Sequence, residues 1–149
     1  MSTTQLTSND NLDWGEEFSM RNVLFHEALA ARLGINARDL KCLSLVRHNK
    51  EMTTGSIAKQ VGITPGSATT MIDRLEKKGF VRRTSSKDDR RKVVVIIVPE
   101  RQTEIGQLYV SFGQAVAGLY AQYEPQQIIF IAEFMYKMAG IFKQETEKL

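Results

Sequence analysis

The chain has 149 residues, 42% hydrophobic and 25% charged, with a net charge of +3; this length suits one domain around one core, and the balance argues against wholesale disorder. Cys42 is the only cysteine, which excludes an internal disulfide and argues against a thiolate metal site. The polar N-terminus lacks the apolar core of a signal peptide, and the most apolar stretch, 128–142, is interrupted by Glu133 and Lys137 and is short for a bilayer, so a cytoplasmic protein without a membrane partner is expected.

In chain order, residues 1–12 are Ser/Thr/Asn-rich and read as a disordered tail. Residues 13–149 then read as a single domain. Trp14, Phe18, Phe25, Ala28 and Leu29 fall near helical spacing, with Asp13 as cap and Gly34 as stop. Asn36 caps a second helix over 37–48 whose Leu40, Leu43 and Val46 point inward. Thr53 starts a short third helix carrying Ile57, Ala58 and Val61, closed by Gly62. Thr64 and Pro65 open a fourth: a hydroxyl cap followed by proline at the first helical position. Its Ala68, Ile72 and Leu75 form the buried stripe and Gly79 ends it.

Strands follow at 80–84 and 93–98; the second is β-branched throughout. Pro99 opens a long helix with Ile105, Leu108, Phe112, Ala115, Leu119 and Tyr123 at three- and four-residue steps. Pro125 opens the last helix. Its apolar residues between Ile128 and Phe142 wrap more than one stripe, which calls for burial on two sides and hence for a second subunit.

The fold class is therefore mainly α with a small β-hairpin wing: a winged helix-turn-helix over 53–98, with terminal helices over 13–50 and 99–149 for dimerisation. Charge follows the same division. Residues 54–98 hold ten basic and four acidic side chains, a net of +6, and the remainder nets −3. A basic centre on a mildly acidic scaffold suits a polyanion, here double-stranded DNA.

The outward face of the fourth helix offers Thr64, Pro65, Gly66, Ser67, Thr69, Thr70 and Arg74. Small hydroxyl residues let the backbone approach base edges, and a Thr methyl can touch a thymine methyl. Arg74, one turn on, has the reach for a guanine or a phosphate. Thr53 and Thr54 begin the third helix, whose N–H groups suit phosphate oxygens. The wing adds Arg83, Ser86, Lys87, Asp89, Arg90 and Arg91. Asp89 is placed to pin a neighbouring guanidinium and pre-orient it.

These residues carry a resemblance. Ile57-Ala58, Val61 to Thr64, Asp73 to Arg83 and Asp89-Arg90-Arg91 closely resemble the MarR family of bacterial transcriptional regulators. The resemblance implies a homodimeric winged-helix repressor whose terminal helices form the interface. It also implies that each wing places an arginine in the minor groove, with Asp89 and Arg91 as the wing-tip pair. Three positions depart from it. An arginine is common where Thr70 stands. The helix after the wing commonly has a threonine cap where this chain has Val98, and a glycine where it has Arg101.

Trp14, Phe18, Phe25 and Tyr109 are candidates for lining a pocket for a small aromatic effector, as the resemblance implies. Cys42 lies within an apolar pattern and reads as a small hydrophobe rather than a redox sensor. His26 and His48 lack metal-ligand spacing, so no metal or cofactor is expected. No Ser/His/Asp set, phosphate-binding glycine loop or carboxylate pair suggests an enzyme. The alternative reading is a winged-helix protein-interaction module without DNA binding. It would not need hydroxyls, an arginine and a cationic loop together.

Overall fold

A computed structural model describes the backbone of residues 8–149 and the side chains of 15–149. The elements are α1 (Ser8–Arg32), α2 (Ala37–Asn49), α3 (Thr54–Val61), α4 (Pro65–Lys77), β1 (Val81–Ser85), β2 (Val93–Ile97), α5 (Pro99–Leu108), α6 (Val110–Tyr120) and α7 (Pro125–Thr146). Two compact units divide the chain, one ending at Ile105 and the other spanning Gly106–Leu149.

Local chemistry accounts for the element ends. The Asn36, Thr53 and Thr64 side chains accept from the backbone N–H three residues on, at Asp39, Ser56 and Ser67. Gly62 and Gly79 both adopt φ 74°, a left-handed conformation that glycine enters without a Cβ penalty. After α4, Gly79 N–H donates to Glu76 O and Phe80 N–H to Leu75 O, both at 2.9 Å. This helix-ending pattern consumes the Phe80 donor, so β1 starts at Val81, one residue later than the sequence suggests. β1 and β2 pair antiparallel, Val81 opposite Ile97 and Ser85 opposite Val93. Met52 adds a two-bond bridge to Val95, at 3.1 and 2.7 Å, which ties the α2–α3 connection to the hairpin.

The core of the first unit is the expected stripes brought together. Leu40, Leu43 and Val46 of α2 are buried with Ile57 and Ala58 of α3, Ala68, Ile72 and Leu75 of α4, and Val94, Val95 and Ile97 of β2. Met71, Phe80, Val81 and Ile105 complete it. In α1, Leu29 and Ala30 are buried, whereas Ala28 is exposed.

Two expectations are corrected. The first helix does not begin at Asp13: its backbone is helical from Ser8, and residues 8–12 contain no Gly or Pro to prevent this. Of the tail expected over 1–12, residues 1–7 lie outside the described residues, as do the side chains of Asp13 and Trp14. The long helix after Pro99 is two helices, α5 and α6, broken at Tyr109. Gly106 weakens that turn, and Tyr109 N–H takes a tightened bond to Gly106 O at 3.0 Å before Gly113 N–H restarts the ladder on Tyr109 O at 2.8 Å.

In the second unit, Pro125 opens α7 and Glu124 N–H donates to Gln127 Oε1 at 2.9 Å. Neither α6 nor α7 has a buried residue. The apolar side chains of α7 stand in the open, Phe130 at 70% exposure and Tyr136 at 80%.

Candidate nucleic-acid interface

Thr64, Pro65, Gly66, Ser67, Thr69 and Thr70 are all exposed along the first two turns of α4, opposite its buried stripe. The hydroxyls have set directions. Thr64 Oγ1 accepts from Ser67 N–H at 3.2 Å and donates to Ser67 Oγ at 2.9 Å. Thr69 and Thr70 donate back to the carbonyls of Pro65 and Gly66, at 3.0 and 3.2 Å. Their protons thus stay with the helix, and they present lone pairs and methyl groups outward.

Arg74 is held differently from the free reader that the sequence suggests. Its Nε and Nη2 fork onto Asp39 of α2, at 3.0 and 2.5 Å. Asp39 is 1% exposed, while the Arg74 side chain keeps 42% exposure. The hydrogen bond and charge of Asp39 raise the already high pKa of the guanidinium, against the smaller cost of burial. Removing one partner of such a pair leaves a buried charge uncompensated, which is more costly than the pair is stabilising. Asp39 therefore anchors α4 to α2. Asp39 sits next to Leu40 on the inward stripe, and a carboxylate at a core position was the available signal for a buried partner.

The wing is fixed from two sides. Arg83 on β1 reaches back to α4: Nη1 to Glu76 Oε2 at 2.5 Å, Nη2 to Asp73 Oδ1 at 2.6 Å, and its backbone N–H to Glu76 Oε1 at 2.9 Å. Ser86, read as an exposed wing contact, is buried, and its hydroxyl donates to Glu51 Oε1 at 2.7 Å. It also accepts from Asp88 N–H at 3.2 Å. Ser86 N–H donates to Lys92 O and Lys92 N–H to Asp89 O, at 2.8 and 2.9 Å, closing the loop into a compact turn. Arg83 and Ser86 thus both have protein partners.

Lys87, Arg90 and Arg91 are exposed on that turn. Asp89 does pin a neighbour: its Oδ1 accepts from Arg91 N–H at 3.1 Å and from Arg91 Nε at 3.2 Å. The Arg91 side chain is nevertheless 91% exposed, a pre-aimed cation at the wing tip. Thr53 and Thr54, half-buried, begin α3, and Thr53 Oγ1 accepts from Ser56 N–H at 3.1 Å. Arg101, where the resemblance has glycine, stacks its guanidinium 4.7 Å above the Phe80 ring and donates to Lys78 O at 3.4 Å, joining α5 to the end of α4.

Cys42 is fully buried, and burial, then the Asp39 charge, push its thiol pKa up to about 12. Phe25 packs edge-on to His26 at 5.5 Å, and Phe18 is exposed on α1. Tyr109 belongs to the second compact unit. Among the described residues no group of His, Cys, Asp and Glu is placed to hold a metal, and no helix is long and apolar enough to cross a membrane.

A capped reading helix on a three-helix core, followed by a two-stranded hairpin, defines a winged helix-turn-helix protein. The MarR family model matches residues 35–93, from α2 into β2. The HTH-type transcriptional regulator YcgE of Bacillus subtilis is 35% identical over 131 residues, which cover 87% of this chain and 84% of that relative. The chain belongs to the MarR family. Among solved structures, RV1404 from Mycobacterium tuberculosis aligns with a TM-score of 0.69 at 15% identity, covering 94% of this chain and 97% of that one. A MarR mutant from E. coli complexed with operator DNA aligns with a TM-score of 0.57 at 23% identity, over 87% and 96% of the two chains. At these identities the structural likeness speaks for the fold.

Proposed function

We propose that this MarR-family regulator binds double-stranded DNA as a homodimer on a pseudo-palindromic operator and represses transcription there. In this reading α4 enters the major groove and the wing lies along the adjacent minor groove. Thr69 and Thr70 face base edges, while Thr53, Thr54, Ser67, Lys87 and Arg90 meet the backbone. Arg83 and Ser86 hold the wing in place. The reading is supported by the DNA-bound state of the E. coli MarR mutant and by the net +6 of residues 54–98. The observation that carries it is Arg91, almost fully exposed yet oriented by Asp89. An exposed, pre-oriented arginine suits the enhanced negative potential of a narrow minor groove.

A two-fold dimer places its reading helices about 34 Å apart, so half-sites should lie about 10 base pairs apart. Release by a small aromatic effector belongs to the same reading. Such a ligand acts by preferring the arrangement whose helix separation does not fit DNA.

The test is Arg91→Ala in fluorescence anisotropy with duplexes selected from a random pool, across a salt series. Affinity should fall for every sequence, and the slope of log K against log salt should become shallower by about 0.9, the loss of one phosphate-region charge. An unchanged affinity and slope removes the wing from the interface. A parent protein that binds no duplex at low salt replaces this reading with that of a protein-interaction module.

A further inference from the structure

Arg38 stands in the first turn of α2, two residues after the Asn36 cap, and is exposed. A cation there faces the positive end of the helix dipole, so it does nothing to stabilise α2. The acid of that turn, Asp39, is committed to Arg74. Arg38 nevertheless shares a solvent-open recess of about 460 Å³ with Gly66, Ser67, Thr70 and Arg74, floored by Met71. No carboxylate lines this recess. The side-on fork to Asp39 uses Nε and Nη2 of Arg74 and turns Nη1 away from the carboxylate. The Ser67 hydroxyl lies 2.9 Å from Thr64 Oγ1 and borders the same recess.

Two arginines and a hydroxyl therefore line one recess beside the N-terminal turns of α4. We propose that this recess seats a DNA backbone phosphate and that Arg38, on a helix outside the helix-turn-helix, is a DNA-contacting residue. The inference rests on the DNA-binding reading above. A helix lying in the major groove has a sugar-phosphate strand on either side, and phosphate contacts of this kind set register without reading sequence. Arg38 supplies the outer cation, and Arg74, fixed by Asp39, the inner one.

The experiment compares the parent, Arg38→Ala, Arg38→Lys and Arg91→Ala by anisotropy on a selected duplex and on unrelated duplexes over a salt series, with thermal midpoints recorded. Arg38→Ala should keep the parent's midpoint, weaken binding to all duplexes alike, and flatten the salt slope by about 0.9. Arg38→Lys should restore most of the slope, since the charge is kept. The proposal is overturned if Arg38→Ala binds like the parent while Arg91→Ala is weakened. It is also overturned if the loss is confined to particular base pairs, which would make Arg38 a reader of bases. A parent that binds no duplex removes the DNA reading itself, an outcome distinct from failure of Arg38 alone.

Discussion

The hydroxyls of Thr69 and Thr70 are each tied to a carbonyl one turn back, so these two residues turn oxygen lone pairs and methyl groups outward rather than donors. Such a surface accepts from cytosine or adenine amino groups and packs on thymine methyls. Thr70→Val keeps the shape and removes the acceptor. It should reduce discrimination at one base pair by about 1–3 kcal/mol, read from a panel of single-base operator variants; an equal loss across the panel would show that Thr70 only packs. Cys42 leads to a prediction about pH. Burial raises its thiol pKa in the folded state from the ordinary 9.0 to about 12. The folded chain therefore disfavours the thiolate, and the associated stability is complete below pH 9 and declines as pH rises from there toward 12. Native protein at pH 8 should resist thiol alkylation and react on addition of denaturant; rapid labelling of the native state would contradict the burial.

At the scale of elements, Arg83 joins β1 to α4 through Asp73 and Glu76 and so sets the angle of the wing against the reading helix. Arg83→Ala should weaken operator binding while leaving the salt slope close to that of the parent, because it removes a brace and not a phosphate contact; a slope that falls with affinity would mean that Arg83 touches DNA. The helices around it were legible in the sequence because their signals are local. Asn36, Thr53 and Thr64 announce caps, Gly62 and Gly79 announce stops, and the stripes at Leu40, Ile57 and Ile72 mark the inward faces. The partners of Arg74, Arg83 and Ser86 were not legible in this way. Asp39 and Arg74 are 35 residues apart, as are Glu51 and Ser86, and only tertiary packing brings them together. An arginine bound for a buried carboxylate and one bound for a phosphate look alike in sequence. The interruption at Tyr109 was hidden by an apolar spacing that runs unbroken through α5 and α6, with only Gly106 to weaken it. The Arg101 departure from the family pattern became intelligible once its stack on Phe80 was seen.

For the whole molecule, the apolar surface of α7 bears on the proposed dimer. Phe130, Phe134, Met135, Ile141 and Phe142 are exposed on one helix, a larger apolar display than a monomeric chain ordinarily leaves in water. Sedimentation should give a dimer. Phe130→Glu combined with Phe134→Glu should shift it toward monomer and weaken binding to the two-half-site operator much more than to a single half-site; a parent that sediments as a monomer at micromolar concentration would rule out the paired arrangement. The Met52–Val95 bridge and the Ser86–Glu51 bond have a consequence for how fast such a complex forms. They join the middle and the loop end of the hairpin to the segment that leads into α3, so the wing and the start of α3 arrive as one unit. Little loop ordering is then left for the moment of encounter, and the rate of capture should depend on collision frequency and angle of approach, with ionic strength as its main control.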